Sequence, residues 1–191
     1  MKQNDALELY RRTGAYLEGH FPLSSGLHSP GYLQSALVLQ HPADAAALGL
    51  AIAVHVKALK PSVVLSPALG GLIIGHEVAR ALGVRAIFAE RAGGPSLTLR
   101  RGFSLAPADR VLVVEDVLTT GKSTRETIDV ARGAGAHVVG AAAIIDRSGG
   151  TIDLGVPCHA LIQLEVPAYD PDKCPLCVQG VPVVKPGSRP T

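Results

Sequence analysis

Short apolar runs alternate along this chain with glycine-bearing loops and longer helical patterns. Residues 63–65, 111–114 and 138–145 are β-branched or small and uninterrupted, as strands buried on both faces of a parallel sheet are. Residues 84–89 and 158–166 supply two further strands. Helical patterns fall between them at 42–59, 72–82 and 123–133, and a short amphipathic helix at 5–12 gathers Ala6, Leu9 and Tyr10 on one side. Lys57 and Lys60 sit near the end of the second of these helices in chain order, where cations suit the dipole, and Pro61 stops it. Ser123 or Thr124 is the expected N-cap of the 123–133 helix, with Gly133 and Gly135 ending it. Strand and helix in alternation predict an α/β protein with a doubly wound, mostly parallel sheet. Two stretches break the rhythm. Residues 19–34 hold three glycines and two prolines and read as irregular and extended, and 167–191 hold six prolines and read as an extended wrap.

Candidate chemistry concentrates where the 111–114 strand ends. Glu115 and Asp116 follow the apolar run, then Val117, Leu118, Thr119, Thr120, Gly121, Lys122, Ser123 and Thr124, before a helical pattern at Arg125. A strand, a small-residue loop and a helix N-terminus aim unpaired N–H groups at one point, where the helix dipole favours an anion. The Gly121-Lys122-Ser123 fragment is not a P-loop, because that pattern opens on a glycine and Asp116 stands at that place. Two carboxylates would repel a phosphate unless they face hydroxyl groups instead. Phosphate at the loop and a diol at the acidic pair describe a ribose 5-phosphate. The alternative is an ordinary strand-to-helix crossing with a solvated acidic pair. A second strand–glycine loop–helix unit, Ser66 to Gly71, should reach the same edge of the sheet through Leu69, Gly70 and Gly71.

An acidic pair followed by a Thr-Thr-Gly loop resembles the phosphoribosyl pyrophosphate (PRPP) motif of the type I phosphoribosyltransferases. Within that family the irregular segment resembles the N-terminal hood of the orotate phosphoribosyltransferases, F-x-L-x-S-G-x-x-S-P-x-Y, matched here by Phe21, Leu23, Ser25, Gly26, Ser29, Pro30 and Tyr32. Ser24 stands where many members carry a lysine. The resemblance implies transfer of the 5-phosphoribosyl group from PRPP to orotate, giving orotidine 5′-monophosphate and pyrophosphate. It implies PRPP on Leu69, Gly70, Gly71, Arg91 and the run from Glu115 to Ser123, with Glu115 and Asp116 on the ribose hydroxyls. Orotate would meet Thr119, Ser25 and Arg147, the last gripping its carboxylate; the alternative for Arg147 is a structural ion pair. Mg²⁺ would be required, carried by PRPP and waters, with no ion held by the protein itself. The glycine-rich excursion 92–110 is expected to be a lid that excludes water from an oxocarbenium-like centre, its Arg100 and Arg101 stabilising the leaving pyrophosphate. These arginines stand in for the Lys- and His-bearing loop of some orotate enzymes, and a lid shared with a neighbour implies a homodimer. The expected layout is one domain over 1–191: N-terminal helix and hood at 1–40, core at 41–166 with the lid at 92–110, tail at 167–191. A purine- or uracil-specific relative and a non-catalytic PRPP sensor would keep the same motif.

Composition adds exclusions. A net charge of +2 gives no reason to expect nucleic acid or a membrane as partner. The first dozen residues lack an apolar signal core, and no run is expected to reach the length that spans a bilayer. With 3 cysteines, a disulfide framework is not expected and the cytoplasm is the expected location. Cys174 and Cys177 form one CxxC, half of a zinc site; with only Cys158 and His159 near it in sequence, packed or free thiols are expected.

Overall fold

A computed structural model describes residues 1–23, 26–91, 93–94 and 96–186. Its centre is a six-stranded sheet of β3 (Val63–Pro67), β4 (Arg85–Arg91), β5 (Leu97–Leu99), β6 (Arg110–Leu118), β7 (His137–Asp146) and β8 (Cys158–Gln163). The spatial order is β5-β4-β3-β6-β7-β8, parallel throughout except for β5, which returns antiparallel beside β4. Successive residues of one strand serve two cores. Val64, Leu112, Val114, Ala142 and Ile144 pack with helices α1 (Gln3–Arg12), α3 (Pro42–Val56) and α4 (Gly71–Leu82). Val63, Leu65, Val111, Val113 and Ala141 point the other way, into a core shared with α5 (Lys122–Gly133). This two-sided burial is why the strands read as unbroken apolar runs rather than alternating ones. Each such Val, Ile or Leu contributes roughly 1.5–3 kcal/mol by leaving water.

Chain order reverses beside β3: the chain goes first to β4 on one side, then to β6 on the other. The helices that follow, α4 and α5, cover opposite faces, so the crevice between β3 and β6 is a topological switch point, where open α/β sheets bind ligands. β3 and β6 pair from Val63 with Val111 only as far as Leu65 with Val113. Beyond that register the two strands no longer pair, and both glycine-bearing loops open into the gap.

Several boundaries differ from those expected. β6 runs on through Glu115 and Asp116 to Leu118, because β7 continues alongside and pairs Val117 with Ile145 and Leu118 with Asp146. The acidic pair is therefore inside a strand, not after it. α5 begins at Lys122, with Gly121 as N-cap at φ +72 and no side-chain cap; Ser123 and Thr124 lie inside the helix. The irregular 19–34 segment is largely an antiparallel hairpin of β1 (Tyr16–Pro22) and β2 (His28–Leu33), followed by the short α2 (Ser35–Leu39). A register shift between Glu18 and Phe21 hides its alternation. Residues 42–59, 18 in all, do meet the length and apolarity of a bilayer span, contrary to expectation. The Ala- and Leu-rich composition responsible also suits a core helix, and α3 packs its Ala45, Leu48, Ile52 and Val56 into the protein. The tail carries the short α6 (Pro175–Val178) and lies across the hairpin: His28 and Tyr169 exchange both backbone hydrogen bonds at 2.8 Å, and Val184 N–H donates to His20 O at 2.8 Å.

Candidate active site

The loop after β6 and the start of α5 enclose a cavity of about 260 Å³, lined by residues 117–124 and Arg91. Gly121 makes the turn. Its φ of +72 is left-handed, and a Cβ there would stand 2.9 Å from Ile152 Cγ2, so both backbone and space call for glycine. Gly121 has no side chain to cap α5, and the Lys122 N–H makes only a long 3.4 Å bond to Thr120 Oγ1, so the N–H groups of the first turn can turn to an anion. Arg125 braces the loop from behind, donating to Thr120 O and to Asp153 O, each at 2.8 Å. Nothing in the motif marks Arg125 beyond its place one helical turn after Gly121. Arg91, at the end of β4, reaches the cavity while paired to Glu126 at 2.9 Å. A larger hollow of about 430 Å³, lined by Leu59, Arg110, Arg132 and His137, sits at the opposite edge, where β6 and β7 begin. It holds no acidic group and is far from the loops.

Below the cavity, Glu115 is buried and Asp116 half-buried. Ser123 Oγ donates to Glu115 Oε2 at 2.8 Å, which is where the hydroxyl expected as a helix cap is engaged. The loop after β3 presses on this pair: a Cβ on Gly70 would lie 2.6 Å from Asp116 Oδ1, so a side chain there would displace the Asp116 carboxylate. Ser66 Oγ, at the base of that loop, is buried without a partner. No lysine or arginine pairs with either carboxylate among the described residues. Burial, reinforced by the neighbouring Asp116 charge, pushes the Glu115 carboxyl from the usual 4.5 up to about 8.

That shift fixes the sign of a stability effect. Between 4.5 and about 8 the folded chain holds a proton on Glu115 that the unfolded chain has released. The associated stability is full below the lower value and is lost as the pH rises through the upper one. Glu115→Gln, with nothing to ionise, is expected to match the wild type in acid and to exceed it by about 2–4 kcal/mol at about pH 9. Urea unfolding of both proteins across that range measures the difference; a gap that does not widen with pH would show that Glu115 ionises freely in the fold.

Arg147 stands just past the end of β7. Its N–H donates to the carbonyl of cavity-lining Leu118 at 2.9 Å, which ties it to the same edge. Its Nη2 donates to Ser29 Oγ of the hairpin at 3.3 Å, and Ser29 is fully buried. Arg147 Nε is buried with no partner, and no carboxylate pairs with the guanidinium among the described residues. Burial lowers its pKa from the usual value, the mark of a cation short of counter-charge. The structural ion pair that the sequence left open has no partner among the described residues. Thr119 is exposed on the cavity rim, one residue from the Leu118 carbonyl that Arg147 holds.

Other expected residues lie apart. Arg101 forks onto Glu90 at 2.9 and 3.0 Å and sits over the Phe88 ring, and Arg100 approaches the same Glu90 at 4.0 Å. Neither lines the cavity. Within the 92–110 excursion, Leu97–Leu99 pair with β4 as an edge strand, while Ala92 and Pro95 lie outside the described residues. So do Ser24 and Ser25 of the hood, the latter expected at the base. Leu69, by contrast, is strongly exposed at the mouth of its loop.

Similarity to known proteins agrees with this geometry. The phosphoribosyl transferase domain model matches residues 36–158. Orotate phosphoribosyltransferase of Pelotomaculum thermopropionicum is 52% identical over 189 residues, 99% of each chain. The Thermus thermophilus enzyme of that name is 53% identical over 179 residues, 94% of this chain and 98% of its own. Among solved structures, orotate phosphoribosyltransferase from Aeropyrum pernix superposes with a TM-score of 0.66 at 28% identity, covering 83% of this chain and 93% of its own. With the acidic pair, the uncapped helix and the glycine loop at one switch point, and with relatives of this similarity over nearly its whole length, the chain belongs to the phosphoribosyltransferase family, among the orotate phosphoribosyltransferases.

Proposed function

We propose that this chain, an orotate phosphoribosyltransferase by family, joins N1 of orotate to C1 of PRPP, releasing pyrophosphate and forming orotidine 5′-monophosphate. One observation carries the choice of base: the half-buried Arg147 guanidinium, its Nε buried without a partner and no carboxylate paired with it among the described residues, on the edge that holds the phosphate cavity. In this reading the 5′-phosphate sits on the N–H groups of 117–123, and the ribose hydroxyls face Glu115 and Asp116. Pyrophosphate lies along Leu69, Gly70 and Gly71 with Arg91, and orotate meets Arg147, Thr119 and Ser25. The C1–oxygen bond to pyrophosphate breaks as the N1–C1 bond forms, and the proton on N1 passes to an oxygen of the departing pyrophosphate or to water. Orotate's charge lies on its carboxylate; with the leaving pyrophosphate able to take the N1 proton, no strong base of the protein is needed, and positioning, charge stabilisation and exclusion of water carry the rate.

An acidic pair that no lysine or arginine pairs with among the described residues would suit a hydrated divalent ion delivered with PRPP, and Asp116, the more accessible of the two, would be the one to hold it. Mg²⁺ there would supply charge neutralisation for the leaving pyrophosphate. Arg100 and Arg101, held on Glu90 away from the cavity of their own chain, are read as serving a neighbour's. The apolar, exposed Leu50, Val54 and Ile73 on α3 and α4 support a homodimer. The three cysteines, none in a disulfide, support a cytoplasmic location.

The test follows the ultraviolet absorbance of orotate with PRPP and Mg²⁺ present and adenine, hypoxanthine and uracil in parallel. Consumption of orotate alone is the expected result. Turnover of another base would keep the PRPP site and overturn the base assignment. PRPP binding with no turnover of any base would make the chain a sensor.

A further inference from the structure

The CxxC of the tail does not stand alone in space. Cys174 opens α6 and Cys177 lies within it, and both meet His20 of β1 and His28 of β2. One ligand atom from each residue falls within 4.8 Å of all the others. His20 Nε2 is 2.9 Å from His28 Nδ1, 3.5 Å from Cys174 Sγ and 3.8 Å from Cys177 Sγ, and Cys177 Sγ is 3.3 Å from His28 Nδ1. A tetrahedral zinc ion with Zn–S of about 2.3 Å and Zn–N of about 2.0–2.1 Å sets N···S edges near 3.5 Å and an N···N edge near 3.3 Å. The three N···S separations bracket their edge, while the N···N separation of 2.9 Å is shorter than its own and would open slightly around an ion.

Hydrogen bonding fixes the state of one ligand. His20 Nδ1 lies 2.8 Å from the carbonyl of Val181, which can only accept. The proton is therefore on Nδ1, and Nε2 turns a lone pair toward the other three donors. This is the outer-shell bond that orients a metal-binding histidine. His20 and Cys174 are buried, so two soft sulfurs and two imidazoles converge in a pocket partly closed to water. The donor set, Cys₂His₂ with no carboxylate, selects zinc over magnesium or calcium.

We propose that His20, His28, Cys174 and Cys177 bind one structural Zn²⁺ that clips the C-terminal tail to the N-terminal hairpin. All four positions come from the protein, so the site is closed and has no place for substrate. Its effect is on shape. The residue after His28 is Ser29, which donates to Pro167 O at 2.9 Å and accepts from Arg147. The clip holds the strand that carries Ser29 against the tail, and so steadies one wall beside Arg147. The site stands independently of the base assignment.

The test uses the full chain, free of any histidine tag, purified under reducing conditions without chelator. Metal content is measured by inductively coupled plasma mass spectrometry. About one zinc per chain is expected, and replacement by Co²⁺ should give the intense visible bands of tetrahedral cobalt with thiolate charge transfer. Cys177→Ser and His28→Gln, at less buried positions, should fold yet retain under about a tenth of the metal, with the unfolding midpoint lowered by about 5–10 °C. Cys158→Ser should keep both. Failure of the wild type to take up stoichiometric Zn²⁺ or Co²⁺ on reconstitution would overturn the proposal. So would an octahedral cobalt spectrum, a Cys174–Cys177 disulfide in the reduced preparation, or full zinc retention by Cys177→Ser.

Discussion

Replacing Asp116 by asparagine is expected to lower kcat/KM by about 10²–10³-fold while leaving the fold at least as stable. The size comes from the bonds lost. A carboxylate facing a ribose diol accepts two charge-assisted hydrogen bonds, each worth about 1.5–3 kcal/mol. Asparagine keeps the shape and one acceptor oxygen but gives up the charge and the second bond. About 3–4 kcal/mol of transition-state stabilisation corresponds to the stated loss. Stability moves the other way, because Asp116 is one of the causes holding the Glu115 carboxyl above its usual range. Removing that charge relieves the pair. Steady-state kinetics with both substrates and a urea titration, run on one preparation, separate the two effects. An unchanged kcat/KM would remove the diol from Asp116, and a large loss of stability would trace any kinetic defect to folding instead.

How far such a site is legible in the chain depends on how local its parts are. The 111–114 run is buried on both faces, and nothing but a central strand explains it; the loop that follows carries its chemistry within a dozen residues. The layering of the sheet follows from the same pattern. What could not be read is what depends on how the chain folds back on itself, over a few residues or over many. Ser123 looks like a helix cap until Glu115, on the preceding strand, is seen to take its hydroxyl. The hairpin at 16–33 has a bulge and two prolines, so its alternation is broken, and much of its support comes from the tail around Tyr169 and Val184. His20 and Cys174 are 154 residues apart, and no spacing rule connects them. Only the CxxC half of that cluster has a local signature.

Arg147 shows the same limit from the opposite side. Its position at a strand end is visible in the sequence, but whether a carboxylate of the protein already occupies it is not. The structure shows none among the described residues, a buried Nε without a partner, and only a 3.3 Å bond to Ser29. A half-buried guanidinium with its Nε unpartnered costs stability, and an anionic ligand offsets the cost. Arg147→Ala is therefore expected to reduce kcat/KM for orotate by about 10²–10³-fold, the worth of a forked, charge-assisted pair. PRPP affinity, measured by calorimetry, should stay within about twofold, since the phosphate loop keeps the Leu118 carbonyl bond through the backbone N–H of residue 147. Arg147→Lys restores the charge without the fork and should recover only part of the loss. The fold itself should be no weaker, because the alanine variant removes a desolvated charge. If orotate kinetics were instead untouched while the unfolding midpoint fell, Arg147 would be a brace for Ser29 and the hairpin, and the carboxylate of the base would have to be held elsewhere.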